Sequence, residues 1–210
     1  MHEGSVWHCT KSGNWDSAET LIKGQREGPR LQWHANGKLA SATNYRNGIQ
    51  EGKTATWNAD GFVKELSYYQ KGERHGVFIS WFERTGPWDK ESQMKEKGIY
   101  KAGVPEGFWV RWYEHGAKKI EGHHMNGQRE GLWKQWSGNG HKWHFLTYKK
   151  SRLHGPATSW HEDTDQKYSE GHYKNDKQEG PWTYWDEKGQ VSKKVFFKAG
   201  KEVSNPKAAP

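Results

Sequence analysis

Twelve histidines, a recurring glutamate and a single cysteine are the residues of this 210-residue chain whose types could do chemistry. Glutamate precedes a glycine at Glu3, Glu27, Glu51, Glu106, Glu130 and Glu179, and histidine takes that place at His75 and His154. Paired carboxylates can act as general acid and base or hold a metal ion. Histidines can ligate zinc, and a cysteine can be a nucleophile. Which of these is open depends on the distances between the groups, and a repeat sets those distances.

Glycine recurs at Gly4, Gly28, Gly52, Gly76, Gly107, Gly131, Gly155 and Gly180, in steps of 24 residues apart from one of 31 and one of 25. With each of these glycines as position 0, position +5 holds Cys9, Trp33, Trp57, Trp81, Trp112, Trp136, Trp160 and Trp185. Position +9 is again glycine in most repeats, as at Gly37, Gly61, Gly116 and Gly140. Position +17 holds Leu21, Tyr45, Tyr69, His124, Tyr148 and Phe197, with Tyr173 one residue late. A fixed period of this size marks a repeat architecture. Leu, Ile, Val and Phe make up only 27 of 210 residues, a share that otherwise signals disorder. Here 14 Trp supply the apolar area and 25 Gly the turns.

Each repeat reads as a short strand, a glycine-bearing turn and a returning strand. The sequence therefore predicts an all-β fold, an elongated array of about eight stacked antiparallel β-hairpins in a single twisted sheet. It would form one repeat domain over residues 1–203, with a tail at 204–210. Sixteen strands at roughly 4.8 Å each give a ribbon about 75 Å long. A three-residue loop sets position +5 opposite +11, pairing Trp33 with Leu39, Trp57 with Val63 and Trp185 with Val191. It also puts glycine where a left-handed residue is wanted. Positions +1, +3, +5, +11, +15 and +17 are then expected on one face and +2 on the other.

Equivalent positions of successive hairpins lie two strands apart, about 9–10 Å. Direct metal bonds need about 2–2.6 Å, and the carboxyls of a retaining glycosidase stand about 5–5.5 Å apart. The glutamate ladder is therefore expected to shape turns. His123 and His124 are adjacent and point to opposite faces of a strand, as do His141 and His144 at their spacing. His124 fills the Tyr slot and reads as a rung. Cys9, in a Trp slot, reads as a small buried hydrophobe. No phosphate loop or dinucleotide fingerprint is present. The expectation is no enzyme, no catalytic residue, no metal and no cofactor.

The net charge of +8 divides as +3 and +5 between the halves, without a basic block. An acidic partner is compatible with this, but no phosphate-tracking stripe is visible, which weakens nucleic acid or anionic lipid as the ligand. One cysteine excludes an internal disulfide framework. No apolar run reaches membrane-span length and no leader is evident. The chain as written suits the cytoplasm, and equally an exported protein whose leader has been removed.

Stretches such as "NGQREGLWKQWSGNG" and "NGIQEGKTATWNADG" resemble MORN-type repeats, in the variant found in YwqK-type bacterial antitoxins. The resemblance runs from Gly4 to Gly200. It implies stacked β-hairpins, a binding or neutralising role, often against a toxin, and no catalytic residue. Two features depart from it, the high tryptophan content and seven extra residues within 82–99 of the middle repeat.

The in-phase row Trp33, Trp57, Trp81, Trp112, Trp136, Trp160 and Trp185 reads as a structural ladder. A second aromatic set is not demanded by the repeat: Trp109, Trp133 and Trp182 at +2, with Trp143, Tyr184, Phe78, Phe82, Tyr113 and Phe145 nearby. Either both faces of the sheet are partly covered, or the C-terminal half exposes an aromatic strip for binding. Trp88, after the Gly86-Pro87 turn of the insertion, is a further candidate. The candidate binding set is thus Trp88, Trp109, Trp133, Trp143, Trp182 and Tyr184. The expected partner is a protein, a toxin in the leading reading, with a glycan as the alternative. Two open edge strands leave the oligomeric state open.

Overall fold

The computed structural model describes residues 4–9, 13, 15–83 and 93–204. Every regular element among them is a β-strand, nineteen in all. No helix among them is long and apolar enough to cross a membrane. The chain forms two compact units, residues 1–105 and 106–210. Within each, antiparallel hairpins follow one another in sequence order. Four repeat hairpins fall in the first unit and four in the second. Lys201–Val203 pairs back on Val191–Lys198 and makes a ninth hairpin beyond the eight expected.

Two kinds of turn alternate, and the sequence dictates both. At the hairpin tips a tight turn ends on a left-handed glycine: Gly37 N–H donates to the His34 carbonyl at 2.9 Å, and His34 N–H to that of Lys38 at 2.8 Å. Between hairpins two successive residues take positive φ, as at Asn126 (50°) and Gly127 (77°). That is the type I′ turn, for which Asn-Gly is the preferred pair. The glutamate ladder serves these junctions. Glu106 Oε2 accepts the Asn126 N–H at 2.7 Å, Glu130 that of Lys150 at 2.9 Å, and Glu179 that of Ala199 at 2.7 Å. Glu27 and Glu51 do the same for Asn47 and Lys71. Each carboxylate thus ties the start of its own hairpin to the turn that ends it.

The expected register is present: Trp33 lies opposite Leu39, Trp57 opposite Val63 and Trp185 opposite Val191. The expected assignment of faces is not. A β-bulge follows each of these pairs. Trp136 faces Lys142, but Gln135 faces His144, so Trp143 is an extra residue without a cross-strand partner. An extra residue reverses the alternation along the returning strand. Position +17 therefore shares a face with +2, as does +15, while +1, +3, +5, +11, +14 and +16 share the other. A second irregularity lies at the leading glycine. His123 pairs with Glu130 and Glu121 with Lys134, so Gly131, Leu132 and Trp133 stand against Gly122 alone. Gly131 takes φ 70°, which a side chain would resist.

These bulges place the core. Trp109, Trp133 and Trp182 are only 5%, 6% and 4% exposed. The Trp133 indole lies on Gly122, where an added Cβ would come within 2.3 Å of the ring; Trp182 lies on Gly171 with the same 2.3 Å. Their indole N–H groups donate to the His123 carbonyl at 3.1 Å and the His172 carbonyl at 3.2 Å. Both indole N–H groups are thus paired, and each such indole contributes about 4–6 kcal/mol through burial. The +17 residues are rungs between them. His124 meets Trp109 and Trp133 edge-on at 5.9 and 4.9 Å, and Tyr173 meets Trp182 at 5.1 Å. Arg129 caps the Trp133 ring at 4.6 Å.

On the other face the Trp row is half-buried, apart from the buried Trp160. Phe145 stands between Trp136 and Trp160 at 5.8 and 4.7 Å. Lys118, Lys142 and Lys167 each lie over the tryptophan of the following hairpin, at 5.4 to 5.8 Å. Phe108 and Leu132, at +1, are each 47% exposed beside the glycine bulge. The sequence had placed position +1 on the covered face. Cys9 is likewise exposed and not a buried hydrophobe. Among the described residues its strand, Gly4–Cys9, pairs only with Trp15–Ile22.

Gly122→Ala should lower stability by about 3 kcal/mol, through the clash with Trp133. Gly138→Ala, with its nearest neighbour at 3.9 Å, should change it by less than about 1 kcal/mol. Urea unfolding of the two variants checks this, and equal midpoints would contradict the Trp-on-Gly contact.

Candidate binding surface

The bulge that buries the +2 tryptophans also fixes which aromatic rings stay outside. Its extra residue has no cross-strand partner. In the second unit that slot is filled by Lys119, Trp143, Tyr168 and Ser192 in successive hairpins. Trp143 is 36% and Tyr168 47% exposed. They occupy equivalent places two strands apart, about 10 Å.

Tyr168 is held from two sides. Its ring meets His161 edge-on at 5.2 Å and Tyr184 at 6.0 Å. Tyr184 in turn stacks on buried Trp182 at 6.1 Å, and its hydroxyl accepts a hydrogen bond from Gln178 Nε2 at 3.0 Å. His161 is fixed because its Nε2–H donates to the Trp185 carbonyl at 3.0 Å. The exposed ring therefore stands on a rigid base. Trp143 leans on His144 at 4.6 Å, and His144 Nδ1 lies 2.9 Å from the Ser159 hydroxyl. Burial lowers the His144 pKa below its ordinary 6.5 and keeps the imidazole neutral at pH 7.

Two shallow clefts flank Tyr168. One of about 330 Å³ is lined by Tyr168, Tyr184, Ser192, Lys193 and Phe197. The other, of about 580 Å³, is lined by Tyr168, His161, Trp185 and Ser192 with the polar tip residues Asp186 and Gln190. An aromatic wall with a few polar groups is suited to binding. The other titratable groups are mostly engaged in the fold: the glutamates on turn amides, and His34 on the Trp57 carbonyl at 2.9 Å. Among the described residues no three His, Cys, Asp or Glu side chains converge on one point.

Of the six residues expected to bind, Trp143 and Tyr184 lie on this surface. Trp109, Trp133 and Trp182 do not reach it, because the bulges turn them inward. They cannot form an exposed strip. Trp88 lies outside the described residues. Tyr168 was missed by the sequence reading. The one-residue slip of its repeat, the 25-residue step, displaced it from the slot that Trp143 occupies.

Two segments of the chain, residues 26–47 and 178–199, match the family model for a MORN repeat variant, one in each unit. No curated protein matches the chain. Each matched segment runs from the end of one hairpin junction through a Trp-bearing tip to the next junction, which is the hairpin described above. MORN repeats are generally associated with binding.

A depressed His144 pKa means that the folded state binds fewer protons than the unfolded one. Its contribution to stability is present above pH 6.5 and is lost as pH falls through the lower folded value. Acidification from about pH 7.5 to about pH 5 should therefore destabilise the wild type more than His144→Gln. Denaturant midpoints at the two pH values give the comparison, and an equal loss in both proteins would count against a buried neutral His144.

Proposed function

We propose that the chain is a non-enzymatic binding protein of the antitoxin or immunity kind. It engages a protein partner through an aromatic strip of the second unit, the exposed Trp143 and Tyr168 with the half-buried Tyr184. The observation that carries this reading is the rigid presentation of Tyr168 on Tyr184, Trp182 and His161. Exposed aromatics on a rigid base are typical anchors of protein interfaces, because little side-chain freedom is lost on binding. The MORN-variant matches support a binding role. The engagement of the glutamates in turn capping supports the absence of catalysis, since their oxygens already accept backbone hydrogen bonds.

A second reading takes a glycan as the ligand. It is favoured by the cleft in which the Tyr168 and Trp185 rings stand beside Asp186, Gln190 and Ser192, an arrangement of ring faces and hydroxyl partners that suits a sugar.

Co-purification from the producing cells should capture the partner with wild type and lose it, by about thirtyfold for each substitution, with Trp143→Ala and Tyr168→Ala. Leu132→Ala, on the other face, should retain it. Undiminished capture by both aromatic variants would remove this strip as the site. Titration of tryptophan fluorescence with glycans separates the second reading, which fails if no glycan moves the emission.

A further inference from the structure

The junctions between hairpins of the second unit carry a feature that neither the turns nor the core uses. Lys149 lies directly opposite Arg152, Lys174 opposite Lys177, and Lys198 opposite Lys201. All six are exposed. Like charges directly opposite on neighbouring strands destabilise a sheet. None of the six has a carboxylate within ion-pair distance among the described residues, although nearby Lys193 pairs with Glu202 at 3.0 Å. In the first unit the equivalent places hold Ile22 with Gln25, Arg46 with Ile49 and Gln70 with Glu73. Doubling of the cation is therefore not required by the repeat. Three successive junctions of the second unit maintain an unfavourable arrangement that a bound anion would relieve.

We infer that this row is a docking edge for an extended acidic segment of a protein. The six cations sit on six consecutive strands and share one face. They form three pairs, two strands or about 10 Å apart. A polyproline-II segment rises about 3.1 Å per residue with three residues per turn. Acidic side chains at every third residue then recur about every 9.3 Å on one side, in step with the pairs. A carboxylate between two cations takes one charge-assisted hydrogen bond from each. A continuous polyphosphate fits less well. Asp176 stands in the middle junction, and Glu130 and Glu179 share the face of the row at its inner margin. These anions break the positive stripe into separate pairs. Only one of the six cations is arginine, the residue suited to bidentate phosphate recognition. The row lies on the opposite face from Trp143 and Tyr168, so this inference does not depend on the function proposed above.

The full-length chain and a fluorescein-labelled peptide of five Glu-Pro-Pro triplets provide the test, with fluorescence anisotropy at low and at physiological salt. The peptide should bind, weaken as salt rises, and bind at least about tenfold less tightly to the triple variant Arg152→Glu, Lys174→Glu, Lys198→Glu. A Gln-Pro-Pro peptide should not bind. The triple variant places an acid opposite Lys149, Lys177 and Lys201, so its denaturant midpoint should equal or exceed that of wild type. Loss of binding then cannot be attributed to unfolding. Equal peptide binding by the triple variant overturns the proposal. So does tighter binding of a single-stranded oligonucleotide, or of phosphatidylserine vesicles, than of the Glu-Pro-Pro peptide.

Discussion

The contact of an indole with a bare glycine backbone is the constraint on which the rest of this architecture depends. A sheet of this composition has too few aliphatic residues to fill a layer, and in the second unit Trp133 and Trp182 each cover the neighbouring strand with one large ring. An indole can lie flat on the preceding strand only where that strand has no side chain, as at Gly122 and Gly171. It can reach that place only if its own strand carries extra residues at the leading glycine. Gly131 with φ 70° supplies that local kink. Glycine thus has two distinct roles in the same hairpin pair, to redirect the indole and to receive it. Each indole N–H finds a carbonyl on the strand it covers, so the polar atom of the ring does not oppose its burial.

Once the core is built this way, much of the apparent chemistry of the sequence is committed to it. The recurring glutamates look like a catalytic or metal-binding series, but five of them accept backbone N–H groups of the inter-hairpin turns. The second positive-φ residue of such a turn needs no glycine at Ser151 or Asp176. Side-chain bonds help at both places: the Ser151 hydroxyl accepts the Arg129 N–H, and Asp176 accepts the Leu153 N–H at 2.7 Å. Tyr113 and His161 extend the same logic to the tips. Each donates to the backbone carbonyl of the tryptophan in the next hairpin, at 3.0 Å in both cases. Successive hairpins are therefore tied at both ends by side chains and in the middle by rings.

The period, the strand class, the hairpin tips and the pairing of +5 with +11 were legible in the sequence because each depends on a residue type at a fixed spacing. The faces were not. Alternation along a strand is a reliable guide only while no residue is inserted, and here every Trp pair is followed by a bulge. Nothing in Trp143 itself announces that it is the extra residue, since a lysine, a tyrosine and a serine fill the same slot elsewhere. With +15 and +17 assigned to the wrong face, the +2 face seemed to lack partners, so Trp133 became a candidate surface residue and position +1, where Leu132 stands, was taken as covered. The basic row escaped for a different reason. Its pairs are separated by about one repeat in the chain and become neighbours only when the hairpins stack, so no block of charge appears in the sequence.

What varies between repeats is therefore more informative than what recurs. Positions fixed by turn, bulge or ring contact are determined by the fold, and their residues carry no information about a partner. The bulge slot and the two residues flanking each junction are free of those demands. The bulge slot runs from lysine through tryptophan and tyrosine to serine along the second unit, and the flanking pairs, which carry at most one charge in the first unit, are doubly cationic at three successive junctions of the second. A sheet can tolerate unfavourable choices at such places because its stability resides elsewhere, in the buried rings and small apolar residues of its core. The doubling of unpaired cations at three junctions of one unit follows from that division: the invariant half of each hairpin holds the sheet, and the variable half is left to meet what binds it.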